Sequence, residues 1–112
     1  MTFKKYSGES RPFPGTTIPR LPPGFLNATW HNDTCSHYEK EWNGYIIEVW
    51  IERDDIDKCE CIHQYMVNIR LPEWSEHLEY VEFSINDLSE EGLRKASVRI
   101  FKEVFRLMKK YS

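Results

Sequence analysis

From Ser89 to Tyr111 apolar residues recur at spacings of three and four, so that Leu93, Ala96, Ser97, Ile100, Val104, Leu107 and Tyr111 share one face of a single amphipathic helix. At about 100° per residue, Val98, Phe101, Phe105 and Met108 widen the apolar arc to roughly half the circumference, while Lys95, Arg99, Lys102, Arg106, Lys109 and Lys110 gather opposite it. Two caps compete for its start: Ser89 with Leu88 and Leu93 as a hydrophobic staple, or Asp87 with Glu90 as a capping box. Such a helix, roughly 33 Å long, would lie across four strands spaced about 4.8 Å apart.

Upstream the period changes to two. Tyr45 to Arg53 reads as a strand, with Tyr45, Ile47, Val49 and Ile51 on one face and Ile46, Glu48, Trp50 and Glu52 on the other. Glu60 to Leu71 reads likewise, with Tyr65, Val67, Ile69 and Leu71 opposed to Gln64, Met66, Asn68 and Arg70, and Pro72 ends it. Glu79 to Asn86 supplies another, with Val81, Phe83 and Ile85 inward and Tyr80, Glu82 and Ser84 outward. Phe25 to His37 alternates poorly and is read as the first strand, with a turn near Asn43-Gly44. The sum is an α+β domain: an antiparallel meander of three to four strands with one long C-terminal helix packed on one face. The opposite sheet face would be water-facing, unless the N-terminal arm or a partner covers it.

Residues 1 to 24 form that arm. Pro12, Pro14, Pro19, Pro22 and Pro23 fix φ and push their predecessors toward extended conformations, while Phe3, Tyr6, Phe13, Ile18 and Leu21 give the arm something to bury. Residues 25 to 112 make one domain, which suits a chain of 112 residues with 40% hydrophobic positions. With no export signal, no apolar run approaching the ~18 residues of a membrane span, and an odd count of 3 cysteines, the chain reads as soluble and cytoplasmic with reduced thiols.

The net charge of −3 conceals a partition. Residues 1 to 32 carry +3, residues 33 to 87 carry −10 and residues 88 to 112 carry +4. A basic arm, an acidic middle and a basic helix bear on the choice of partner rather than on the fold.

Candidate chemistry is sparse. Cys59-x-Cys61-x-His63 would point three side chains to one face of a strand, and His31, Asp33, Cys35 and His37 repeat the pattern. If the segments met, their thiolates and imidazoles would suit tetrahedral zinc, with Cys35, His37, Cys59, Cys61 and His63 as the ligand candidates. No C-x-x-C knuckle is present, and simple hairpin register leaves the Tyr45 to Arg53 strand between the two groups, so the expectation is no metal and no cofactor. His63 two residues from Cys61 is a poor match to a nucleophile and its base. There is no G-x-S-x-G, H-E-x-x-H, phosphate-binding loop or dinucleotide fingerprint, and the chain reads as non-enzymatic.

Two surfaces remain. The helix bases Arg94, Arg99, Lys102, Arg106, Lys109 and Lys110 could clamp phosphates, but the acidic middle would repel nucleic acid over much of the same small body. The sheet face opposite the helix would carry Glu48, Trp50, Glu52, Met66, Tyr80 and Glu82, with Asp54, Asp55, Asp57 and Glu60 at one rim. Trp and Tyr make interface hot spots, and the carboxylates would steer a basic, possibly nucleic-acid-handling, protein partner. A homodimer seam is the plainer use of that face. The leading expectation is a small protein-binding inhibitor. Compact acidic sheet-plus-helix proteins of this size are common among immunity proteins and phage anti-defence proteins such as anti-CRISPRs, an analogy of size and charge with no motif behind it. A nucleic-acid-binding domain and a zinc-stabilised domain are the alternatives.

Overall fold

A computed structural model describes residues 16–29, 35–54, 63–73 and 76–112. Five strands, β1 (Leu26–Asn27), β2 (Ser36–Trp42), β3 (Tyr45–Ile51), β4 (Tyr65–Arg70) and β5 (Glu79–Phe83), form one antiparallel sheet in sequence order, and α1 (Glu90–Lys110) follows. The α+β meander with one C-terminal helix expected from the pattern is thus present, with more strands than expected. The stretch Phe25 to His37 is not one strand: it divides into the two-residue β1 and the start of β2, which runs on to Trp42.

The turn explains that division. Asn43 and Gly44 have φ of 54° and 88°, the left-handed pair that a two-residue hairpin of matching twist requires. The hairpin therefore closes between Trp42 and Tyr45, and β2 pairs with β3 from Trp42 opposite Tyr45 to Ser36 opposite Ile51. Period-two alternation then assigns the faces. Ile47, Val49, Ile51, Tyr65, Val67, Ile69 and Phe83 are buried on one side with Ala96, Ile100, Val104 and Leu107 of the helix. Each large side chain so buried contributes roughly 1.5–3 kcal/mol.

Ser89 is the helix cap: its hydroxyl accepts from the Gly92 amide at 3.3 Å, and Asp87 supports it from outside the helix by accepting from the Ser89 amide at 2.9 Å. At the other end the Tyr111 amide donates to the Leu107 carbonyl, and the Trp42 indole donates to the Met108 carbonyl at 3.0 Å, which fixes the helix across the β2–β3 hairpin. The buried arc of the helix is narrower than its apolar arc. Val98 and Phe105 point to solvent, 61% and 49% exposed.

Of the Pro-rich arm, residues 16–24 contain no helix or strand. Ile18 and Leu21, with Phe25, pack against the core on the helix side, where the Arg20 carbonyl accepts from Ser97 and Asp54 accepts from the backbone and hydroxyl of Thr17. This part of the arm therefore does not cover the face opposite the helix. Phe3, Tyr6, Pro12, Phe13 and Pro14 lie outside the described residues. Among the described residues, no helix is long and apolar enough to cross a membrane.

Candidate functional site

The sheet face away from the helix is built in cross-strand rows that follow from the register. One row runs Glu39, Glu48, Asn68, Tyr80, and the next runs His37, Trp50, Met66, Glu82. Ile46 and Arg70 pair beside them. Glu39 and Glu48 are directly opposed like charges, which by itself is destabilising. Arg70 relieves it, with Nε at 3.0 Å from Glu48 Oε2 and Nη2 at 3.5 Å from Glu39 Oε1.

Glu48 is the centre of a closed polar network. Its side chain is only 3% exposed; Asn68 donates to Oε1 at 2.8 Å, and His37 Nε2 lies 2.9 Å from Oε2. Burial alone would raise this carboxyl, but the hydrogen bonds from His37, Asn68 and Arg70, with the charge of His37, outweigh it and bring it down to about 2. An ionised carboxylate has no proton to give, so Nε2 of His37 is the donor. Glu39 is displaced the other way, raised by burial and by the charge of Glu48 against the lowering effect of His37 and Arg70. The network also fixes an aromatic side chain: the Trp50 indole donates to Asn68 Oδ1 at 3.1 Å and stacks on the His37 ring with centroids 3.9 Å apart and planes within 3°.

Beside Trp50 opens a cavity of about 240 Å³, lined by Cys35, Glu52, His63, Met66, His77 and Glu82 among others. That is below the roughly 300–1,000 Å³ of pockets for drug-sized ligands.

The six expected partner-binding residues do share this face, but not one environment. Tyr80 is 59% exposed and Glu82 is exposed, whereas Trp50 and Met66 are half-buried. Glu48 and Glu52 are buried, at 3% and 4% exposure, so the expected water-facing carboxylates at these two positions are not there to steer a partner. The face is broader than the strand's own alternation implied, and flanking strands enclose Glu48. Of the expected acidic rim, Asp54 is exposed and accepts from Thr17, while Asp55, Asp57 and Glu60 lie outside the described residues.

The expected phosphate clamp is largely neutralised. Arg99 and Arg106 bind Glu103 at 3.0 Å each, Arg106 and Lys110 bind Glu79 at 3.1 and 2.9 Å, and Arg94 lies 3.3 Å from Glu91. Of that set only Lys102 and Lys109 make no ion pair among the described residues. Glu79 also accepts from the Tyr111 hydroxyl at 2.8 Å, and Lys110, Tyr111 and Arg106 together hold its carboxyl at about 2.

For metal, Cys59, Cys61, His31 and Asp33 lie outside the described residues. Cys35 is buried and His63 exposed, both at the cavity, while His37 turns to Glu48. A different donor set is brought together, His37, Glu39 and Glu48, with ligand atoms within 4.8 Å of one another. The guanidinium of Arg70 is bonded to both of those carboxylates and supplies the positive charge that an ion would bring, so this set is already satisfied.

Sequence reading missed His37, Asn68 and Arg70 as a unit. The available signal was the Asn43-Gly44 turn: a two-residue hairpin there places Glu39 opposite Glu48 and His37 opposite Trp50.

The network sets an acid limit on stability. The Glu48 carboxyl titrates near 4.5 when unfolded and near 2 when folded, so its contribution is complete above about pH 4.5 and is lost as pH falls toward 2. For this buried group the loss is on the order of 3 kcal/mol. The urea midpoint should therefore fall between pH 5 and pH 2, and a midpoint unchanged over that interval would contradict the geometry.

Comparison of the chain with protein-family models, curated proteins and solved structures finds no match.

Proposed function

We propose that this chain is a small, non-enzymatic cytoplasmic binding protein, of the inhibitor kind, which engages a basic protein partner through the sheet face around Trp50. The observation that supports this most is the fixed presentation of Trp50. Its indole is clamped by the His37 ring and by Asn68, borders a side-chain-sized cavity, and shares the face with the exposed Tyr80. Rigid aromatic anchors of this type lose little freedom on association and dominate interface energetics.

Steering falls to the outer carboxylates. Glu41 and Glu82 are exposed on this face, within the segment of net charge −10. Glu48 has another task, holding the platform from beneath.

The test is affinity capture from extracts of the source cells with the wild-type chain and with the Tyr80→Ala, Glu82→Lys variant, quantified by mass spectrometry over a salt series. A basic protein should be enriched by the wild type, released with rising ionic strength and lost in the variant. Identical capture by both chains at every salt concentration would reject the proposal.

A further inference from the structure

The seven bases of the helix fall into two groups. Arg94, Arg99, Arg106 and Lys110 are all paired with glutamates, whereas Lys95, Lys102 and Lys109 make no ion pair among the described residues. The three unpaired lysines are spaced by seven, so they form a single row along the solvent side.

Next to that row runs an apolar stripe. Val98, Phe101, Phe105 and Met108 are spaced by three, four and three, the a and d positions of two heptads, and the unpaired lysines then occupy the e positions. Val98 and Phe105, the two a positions, are 61% and 49% exposed, and the Phe101 and Phe105 rings meet edge to face with centroids 5.9 Å apart. Val98, Phe101 and Phe105 are displaced from the arc that Ala96, Ile100, Val104 and Leu107 bury in the core, while Met108 packs against its edge.

We propose that this outer seam docks an amphipathic helix from an acidic protein partner, which sets apolar a and d residues on Phe101 and Phe105 and places glutamate or aspartate against Lys102 and Lys109. The seam lies across the fold from Trp50 and does not depend on that site. Charge selects the occupant. A second copy packed antiparallel, stripe on stripe, would set its lysine row against this one, and like charges at e positions oppose pairing. The seam presents about one side chain per turn, which matches a helix better than a broad lipid surface.

The experiment uses the full chain and two synthetic peptides of four heptads, both with Leu at a and d, one with Glu at every e and g and one with Lys there. Fluorescence anisotropy measures their binding, and circular dichroism with thermal melting confirms that the exposed-site variants remain folded. The acidic peptide should bind saturably, the basic one should not, and affinity should fall about tenfold or more in Phe105→Ser and in Lys102→Glu, Lys109→Glu. Binding of the basic peptide gained by the charge-reversed variant would support the geometry further. Equal binding of both peptides, or unchanged affinity in both variants, overturns the proposal. So does sedimentation of the wild type as a dimer that Phe105→Ser dissociates, or capture by phosphatidylserine vesicles with no binding of the acidic peptide.

Discussion

Replacing Glu48 by alanine is expected to lower folding stability by about 3 kcal/mol, because it takes the acceptor from the His37 ring and the Asn68 amide and leaves Arg70 with Glu39 as its one acidic partner among the described residues. With small domains stable by only about 5–15 kcal/mol, a loss of that size is a large fraction of the total. Urea denaturation gives the number, and a loss below about 1 kcal/mol would show that water reaches the network and screens it. A companion variant separates stability from function. His37→Phe, Glu39→Leu, Glu48→Leu, Arg70→Met removes the ionisable partners together and leaves the Asn68 oxygen on the Trp50 indole, and replacement of a buried ionic group by apolar residues is often neutral or stabilising. If it folds well yet fails to capture the partner, the ionic network exists to aim Trp50; if capture persists, the network is structural alone.

Ile100→Ala is expected to cost about 2–5 kcal/mol, since Ile100 is 0% exposed at the middle of the helix face that meets β3 and β4. Phe105→Ala, five residues on and larger, should cost only about 1 kcal/mol, because that ring is 49% exposed and its aromatic contact is with Phe101 on the same helix. Hydrophobicity alone ranks these two substitutions in the opposite order. Thermal or chemical unfolding of both variants decides it, and a large loss in Phe105→Ala would mean that the outer seam is packed in solution.

The helix was legible because its period is local: three- and four-residue spacing, a Ser89 cap and terminal charges all lie within its own segment. The same holds for β3, β4 and β5, whose alternation needs no knowledge of neighbours. β1 and β2 were misread because Ser36 to Trp42 mixes His, Glu and Lys with aromatic residues, and its apolar content shows only once Tyr38 and Trp42 join the core side. There the turn outweighed the alternation.

The candidate site was legible as a set of residues and not as an environment. Glu48 and Glu82 occupy equivalent polar positions in their strands, yet one is buried beneath Arg70 and the other is exposed.

The α+β class, the helix, the faces of β3, β4 and β5, and the separation of a basic helix from an acidic middle are all readable from the chain, since each follows from periodicity or composition within a single segment. Which charges are spent inside the molecule, and which remain at the surface, depends on contacts between segments. Glu48, Arg70, His37 and Asn68 come from three strands, and Glu79 and Arg106 from a strand and the helix. Desolvation and pairing depend on distances between segments, and these are fixed when the sheet takes its register and the helix crosses it.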